Sequence, residues 1–190
     1  MMRRARGVRV MFSVIIATRD SERPLVATLA ALVPGATAGV VREVIVADGG
    51  SRDETEQVAD IAGCRFFSSD QPLGARLKTA AETAGGDWLM FLDPGVVPEP
   101  SWIDECAAFA ERDLADIRAA VFAAEHGFAN ALRRVFFLPR SAQGLIVRKS
   151  IYAGLGGHRA EASNAPADLL RRIGRRRLVT LRTVAAQPNS

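Results

Sequence analysis

Three aspartates stand at the ends of apolar segments that have the composition of buried strands. Asp20 follows FSVIIATR, Asp48 ends REVIVAD, and Asp93 ends DWLMFLD. Carboxylate oxygens can bind Mg²⁺ or Mn²⁺, accept a hydrogen bond from an N–H group of a ligand, or take a proton from a substrate hydroxyl. Because aspartate also caps helices and fills turns, each of the three taken alone predicts only a local structural role.

The segment LDPGV raises the question of a metal site. A second carboxylate two residues after Asp93 would complete a metal-binding pair, but Pro94 and Gly95 follow instead. Mg²⁺ commonly takes one or two protein carboxylates, with phosphate oxygens and water as its other ligands. Asp93 therefore predicts a weak site for Mg²⁺ or Mn²⁺ that depends on a bound phosphate compound. The alternative is a metal site that has been lost.

Strand-like and helix-like segments alternate along the first half of the chain. Strands are predicted at 12–20, 42–48, 64–69 and 87–93. A helix capped by Ser21 follows the first strand, a Ser-x-x-Glu capping box of Ser51 and Glu54 begins the second helix, and residues 75–84 form the third. This alternation predicts an α/β fold, with an open, mainly parallel twisted sheet and helices on both faces.

The carboxyl ends of parallel strands meet at one edge of such a sheet, where ligands bind. We therefore expect the three aspartates to converge there. The glycine-rich segment ADGGSRDET opens a helix and can present backbone N–H groups to an anion at the same edge. The other polar residues predicted at this edge are Thr18 and Arg19.

The second half of the chain is less regular. Helices are predicted in SWIDECAAFAER and PADLLRRIG, strands in DIRAAVFAA and RRLVTLRTV, and a strand, a short helix and a glycine turn in QGLIVRKSIYAGLGGH. There is no repeat, linker or low-complexity tract. We predict one domain over residues 11–190, with a nucleotide-side half at 11–100 and an acceptor-side half at 101–190, and a disordered arm at 1–10.

Composition narrows the class of protein. Two cysteines and two histidines, all far apart, speak against a disulfide framework or a zinc site and favour a reducing compartment. No apolar run approaches the ~20 residues of a membrane span. The net charge of +4 comes with arginine clusters near both ends. We predict a cytoplasmic protein that uses Arg171–Arg177 to contact an anionic membrane surface; a nucleic-acid partner, the other use of such clusters, is not expected.

Four segments of the chain resemble the family 2 glycosyltransferases, which have the GT-A fold. They occur in the family's order and lie within residues 12–182. The resemblance implies transfer of a sugar from a UDP- or GDP-linked donor to an acceptor. The segments are FSVIIATRDSERPLVATLAAL, EVIVADGGSRDETEQVADIAG, PLGARLKTAAETAGGDWLMFLDPGVVPEPSWID and LPRSAQGLIVRKSIYAGLGGHR.

The resemblance also implies roles for individual residues. Asp48 would accept the N–H group of a uracil-like ring, and Asp93 would hold Mg²⁺ or Mn²⁺ against the diphosphate. Asp168 is the candidate for the base that takes the acceptor's proton. The residues implied in nucleotide binding are Ala17, Thr18, Arg19, Asp20, Asp48, Gly49 and Arg76.

Three positions depart from the family pattern. Gly95 replaces the second metal carboxylate, Ala165 and Pro166 replace an acidic pair and leave only Asp168 nearby, and the stretch 140–142 lacks its usual acidic character. Two hypotheses follow. The chain is a glycosyltransferase, with a weak metal site at Asp93 or with a basic side chain that takes over charge neutralisation from the metal, or it is a catalytically impaired relative that binds a nucleotide, a glycan or a protein. The candidate basic residues are Arg76, Lys78, Arg140 and Arg148.

Overall fold

The computed structural model describes residues 10–112, 117, 119–124 and 144–186. Most of the predicted arm, together with His126 and residues 140–142, lies outside these ranges. The strands are β1 Phe12–Thr18, β2 Val41–Asp48, β3 Arg65–Ser68, β4 Trp88–Leu92, β5 Val97–Pro98, β6 Ala119–Ala124, β7 Leu145–Arg148 and β8 Leu178–Ala186. The helices are α1 Glu22–Thr37, α2 Thr55–Ile61, α3 Leu73–Thr83, α4 Trp102–Glu111, α5 Lys149–Gly154 and α6 Ala165–Ile173, with a 3₁₀ turn at Arg175–Arg177.

One mixed sheet contains all eight of these strands, in the order β3-β2-β1-β4-β7-β6-β8-β5. The strands of the first half, β1 to β4, pair in parallel, as their apolar, β-branched runs predict. In the second half β7 runs antiparallel to β4 and β6, whereas β6 and β8 are parallel. The predicted α/β class and mainly parallel sheet are confirmed, and the antiparallel pairs of the second half are an addition to the prediction.

Helices cover both faces of the sheet. Alternate residues of β1 separate into two cores, because successive side chains of a strand point to opposite faces. Val14 and Ile16 pack with Leu25 and Trp102 of α1 and α4, and Ile15 packs on the other face with residues of α3, α5 and α6. Trp102 is therefore a core residue. None of the helices in the described ranges has the length and apolar character needed to cross a bilayer.

Two predicted helix caps are wrong. Ser21 precedes α1 but makes no capping hydrogen bond, and α2 begins at Thr55, four residues after Ser51. The Ser51 hydroxyl donates instead to Asp48 and accepts from the N–H group of Asp20. The serine that looked like the start of a helix thus connects two loops at the candidate site.

Candidate functional site

The loops after β1 and β2 are tied together by hydrogen bonds. The N–H group of Asp20 donates to Ser51 Oγ over 2.8 Å, and the Asp20 carboxylate accepts from the N–H group of Arg52 over 2.8 Å. Asp20 has a φ of 48°, and it is the one non-glycine residue with positive φ in the described ranges. Such a conformation costs about 1–3 kcal/mol and persists where surrounding contacts enforce it. The carboxylate of Asp20 therefore shapes the loop pair.

Asp48 is 1% exposed, and its carboxylate accepts five hydrogen bonds. The donors are the hydroxyls of Thr18, Ser51 and Ser68 and the N–H groups of Gly50 and Ser51. Burial alone would raise the pKa of Asp48, but hydrogen bonds from Ser51, Thr18 and Ser68 outweigh it and lower the pKa to about 2. A carboxylate offers about four lone pairs, so none is free for a ring N–H group in this conformation. The predicted contact to a base stays a prediction and requires some of these bonds to open.

Arg76 on α3 reaches across the ends of β1 and β2. Its Nη1 donates to the carbonyl oxygens of Thr18 and Ala47, over 3.2 and 2.6 Å. The guanidinium lies against Gly49, where a Cβ atom would come within 2.9 Å of Nη2. Its Nε is buried and has no hydrogen-bond partner in the described part of the chain. Burial lowers the pKa of Arg76, and the nearby Asp48 opposes this change.

Asp93 lies in a different environment from the other two aspartates. Its side chain lines a cavity of about 30 Å³ between β4, α3 and α6, with apolar walls that include Leu77, Phe91 and Leu170. Burial raises the pKa of the Asp93 carboxyl, and no described residue donates a hydrogen bond to it. Strand spacing puts Asp93 and Asp48 about 10 Å apart, on either side of β1. The oxygens of Asp48 are occupied by hydrogen bonds, so Asp93 is the carboxylate of this pair that is open to an ion.

The position of the missing second carboxylate is occupied by a tight turn. The N–H group of Val96 donates to the carbonyl of Asp93 over 3.1 Å, and Gly95 has a φ of 88°. Proline second and glycine third, with positive φ, are typical of a type II turn. The N–H group of Gly95 also contacts Pro24 O and Thr28 Oγ1 of α1. The backbone of this turn therefore favours glycine at the position where the second metal carboxylate would stand.

Restoring the carboxylate with Gly95→Asp should destabilise the protein without improving metal binding. A side chain at this φ costs about 1–3 kcal/mol, so we expect a loss of that size in the free energy of unfolding, measured by urea denaturation. Gly95→Ala is the matched control and should lose about as much. Tighter Mn²⁺ binding in Gly95→Asp than in Gly95→Ala would show that the turn can accept the second ligand.

His158 lines the same cavity as Asp93 and is 2% exposed. Gly156 and Gly157, both with positive φ, end α5 in a Schellman motif and turn the chain back over the helix. The Tyr152 hydroxyl then lies 2.9 Å from His158 Nδ1 and accepts from the His158 N–H group over 3.0 Å. Tyr152 is missing from the sequence prediction, although it is the chain's one tyrosine and stands six residues before His158.

Asp168 lies on the first turn of α6, in contact with arginines. Its Oδ2 accepts from Arg172 Nε over 2.8 Å, and Arg159 is 3.9 Å away. Arg172 also donates to the carbonyls of Leu155 and Gly157, both over 2.6 Å. Asp168 is not among the residues lining the cavity. This pair therefore ties α6 to the glycine turn that carries His158.

Comparison with known proteins identifies the family. The sequence profile described as glycosyl transferase family 2 matches residues 13–154, about three quarters of the chain. The chain belongs to glycosyl transferase family 2. No curated protein sequence matches it.

Solved structures with the same architecture agree with the family 2 fold. Glucosyl-3-phosphoglycerate synthase from Mycobacterium tuberculosis, in complex with phosphoglyceric acid, matches with a TM-score of 0.73 and 19% identity over 96% of this chain and 73% of that chain. The same synthase with Mn²⁺, UDP and glucosyl-3-phosphoglycerate has a TM-score of 0.72 and 20% identity, over 96% and 73%. The synthase with Mn²⁺, UDP-glucose and phosphoglyceric acid matches with a TM-score of 0.73 and 20% identity, over 96% of this chain and 73% of that chain. The likeness shows the GT-A fold.

The family implies a divalent metal, and the residues of this site can be compared with what such an ion needs. No group of three histidine, cysteine, aspartate or glutamate side chains in the described residues could enclose an ion. Asp93 nevertheless offers a carboxylate without a hydrogen-bond partner at the cavity wall. The site thus fits an ion held by one carboxylate together with the phosphates of a ligand, and not an ion held by the protein alone.

The basic residues considered as supplements to a metal lie in different places. Arg76 is at the ends of β1 and β2, whereas Lys78 is exposed on α3. Arg148 pairs with Trp88, which begins β4, and its guanidinium lies 5.1 Å from the Trp88 ring centroid. It is therefore at the opposite edge of the sheet from Asp93. Among these three, only Arg76 lies at the carboxyl ends of β1 and β2, next to Asp48.

His158 should make the stability of this family 2 domain depend on pH. Burial and the nearby Arg172 lower its pKa to about 4, and Asp168 opposes this shift. In the unfolded chain this histidine binds a proton below about pH 6.5, whereas in the folded chain it binds the proton only near pH 4. We expect the free energy of unfolding to fall by about 3 kcal/mol between pH 7 and pH 4, measured by urea denaturation. His158→Gln should remove this part of the slope, and the control His126→Gln should retain it.

Proposed function

We propose that this protein transfers a sugar from a UDP- or GDP-linked donor to an acceptor, at the carboxyl ends of β1, β2 and β4. The observation that carries the proposal is the Asp93 carboxylate, which lies half-buried at the cavity wall without a hydrogen-bond partner among the described residues. Asp48 and Asp93 lie about 10 Å apart across β1. That span suits a nucleotide extended between them, with the nucleoside near Asp48 and the diphosphate near Asp93.

The donor would contact the residues predicted from the sequence. Ala17 and Thr18 end β1, and Arg19 and Asp20 follow in the next loop. These residues would lie beside the nucleoside, with Asp48 and Gly49 opposite. Arg76 has a buried Nε atom without a partner among the described residues, and a shift of its guanidinium would let it donate to a phosphate oxygen. A divalent metal at Asp93 would neutralise negative charge on the leaving nucleoside diphosphate.

Calorimetric titration with UDP and GDP, each with and without Mn²⁺, tests this proposal. Binding that tightens with Mn²⁺ is the expected result, because the single carboxylate needs a diphosphate to complete the metal site. Hydrolysis of UDP- and GDP-linked sugars, followed by release of the nucleotide, then identifies the donor. If neither UDP nor GDP binds, with or without Mn²⁺, the proposal is contradicted.

A second candidate function is a nucleotide- or glycan-binding protein that has lost catalysis. The replacement of an acidic pair by Ala165 and Pro166 favours it, as does the contact between Asp168 and Arg172. Asp168 can act as a base only if this contact opens. We expect Asp168→Asn to abolish sugar transfer if Asp168 is the base. Nucleotide binding without turnover of any donor, in the wild type, would support the binding protein.

The contact to an anionic membrane surface is part of the proposal. Arg171 and the 3₁₀ turn Arg175–Arg177 expose their side chains, and no salt bridge within the described residues involves them. Each arginine near an anionic bilayer contributes about 1 kcal/mol. Co-sedimentation with vesicles of anionic and of neutral lipid tests this contact. Equal binding to both would argue against it.

A further inference from the structure

We infer that His158 is a specificity-determining residue, whose Nε2–H group donates a hydrogen bond to one hydroxyl oxygen of the donor sugar. The inference rests on the proposed function, because it names what the cavity beside Asp93 recognises. It depends on three features of the structure: the tautomer of His158, the size of the cavity, and the polarity of its walls.

The hydrogen bonds of Tyr152 determine the tautomer. The hydroxyl oxygen accepts from the backbone N–H group of His158, so its single proton is free to be donated to His158 Nδ1, 2.9 Å away. In the other tautomer Nδ1 would donate to Tyr152, and the buried tyrosine proton would have no acceptor among the described residues. Leaving a buried donor unpaired is unfavourable. His158 therefore carries its proton on Nε2 and is a hydrogen-bond donor, not a general base.

The backbone around His158 keeps the ring in this position. A Cβ atom at Gly157 would come within 2.9 Å of the Tyr152 ring, so only glycine allows the turn to pack this closely. Arg172 holds the carbonyls of Leu155 and Gly157 from the other side. The rings of His158 and Phe91 pack in a T-shaped arrangement, with ring centroids 4.8 Å apart. The imidazole is thus fixed before any ligand binds.

The cavity limits what His158 can contact. Its volume of about 30 Å³ suits a hydroxyl group and is too small for a sugar ring. Asp93 and His158 are the polar residues of its wall, and the others are apolar. A hydroxyl can accept from Nε2–H while its own proton is donated to a carboxylate. No hydrogen bond joins Nε2 to a described residue, so a ligand hydroxyl would supply its acceptor.

The first test is the tautomer in the free, full-length protein. A long-range ¹⁵N–¹H correlation spectrum at pH 7 distinguishes a protonated Nε2 from a protonated Nδ1. We expect the Nε2–H form for His158, and a mixture of the two forms in Tyr152→Phe. A protonated Nδ1 in the wild type would overturn the inference. This measurement needs no ligand and is independent of the proposed function.

The second test separates recognition of the sugar from recognition of the nucleotide. The probe is whichever of UDP-glucose, UDP-N-acetylglucosamine, GDP-mannose and GDP-fucose binds the wild type most tightly, compared with its free nucleotide. We expect His158→Phe to weaken binding of the nucleotide sugar about tenfold and to leave binding of the nucleotide unchanged. His158→Gln, which keeps an N–H donor, should recover part of the loss.

The outcomes distinguish the two proposals. An equal loss for sugar nucleotide and free nucleotide, or no loss for either, would overturn the role of His158 and leave the proposed function standing. The role of His158 would also be overturned if the wild type bound the nucleotide sugar no more tightly than the free nucleotide. Failure of all nucleotides to bind the wild type would instead overturn the proposed function, and the inference with it. The double variant His158→Phe/Tyr152→Phe, which leaves no unpaired tyrosine proton, checks that any loss is not due to misfolding.

Discussion

Asp93→Asn should reduce nucleotide-sugar hydrolysis or transfer by at least about 100-fold and abolish the effect of Mn²⁺ on UDP binding. The substitution keeps the size of the side chain and removes the charge that a cation requires. A metal at a leaving phosphate contributes several kcal/mol to the transition state, and the described residues contain no group of three potential ligands that could hold the ion without Asp93. Binding of UDP without metal should change little, because Asp93 then offers the diphosphate no favourable charge.

The control for this experiment is Asp60→Asn. Asp60 is an exposed carboxylate on α2, and its substitution removes the same charge far from the cavity. It should leave both the turnover and the Mn²⁺ effect as in the wild type. Calorimetry with UDP and release of UDP from the donor measure the two quantities. An undiminished Mn²⁺ effect in Asp93→Asn would mean that the metal, if it binds, is held elsewhere.

Asp48→Ala should lower the free energy of unfolding by about 3 kcal/mol or more. The change leaves up to five donors without their acceptor, and each buried donor left unpaired costs about 1–3 kcal/mol, with part of this loss recovered by rearrangement. For a domain of this size the melting temperature should fall by roughly 6–12 °C. Because the loop itself would be disturbed, binding of UDP and of GDP should weaken together.

The two roles of Asp48 give opposite results in this experiment. If Asp48 contacts the base through a free oxygen, Asp48→Ala should weaken UDP selectively and cost less than about 1 kcal/mol in stability. The pH dependence gives a second measurement. With a pKa of about 2 in the folded protein against about 3.9 when unfolded, Asp48 contributes about 2 kcal/mol above pH 4, and this contribution is lost as the pH falls towards 2. The stability of the Asp48→Ala variant should not show this pH-dependent contribution.

Much of the fold could be predicted from local sequence. The strands of the first half are continuous apolar runs, and their ends agree with the structure to within two residues. The edge at which Asp20, Asp48 and Asp93 collect follows from parallel pairing alone. The helix starts were predicted less well, because Ser51 has the spacing of a cap but gives its hydroxyl to Asp48.

The position of the candidate site could be predicted from the sequence, but the contacts that determine what each of its residues can do could not. The sequence predicted one shared edge and a separate role for each aspartate, but it did not predict the different surroundings that the structure gives them. Two of the hydroxyls that bind Asp48 come from β1 and β3, which are 30 and 20 residues away in the chain. Asp93 meets no such donor, because the elements around it present apolar side chains. Asp168 meets Arg172 one helical turn later, a contact that the i, i+4 spacing alone could have suggested.

The sequence by itself determined the family, the alternating elements and the edge of the sheet where chemistry can occur, because these depend on apolar periodicity and on motifs within short segments. It also placed glycine where the Asp93 turn needs a positive φ. Only the tertiary structure decided which carboxylate is free, and that His158 is held as a donor by Tyr152. Hydrogen-bond partners are chosen among side chains from distant segments, and packing of the whole domain brings those segments together.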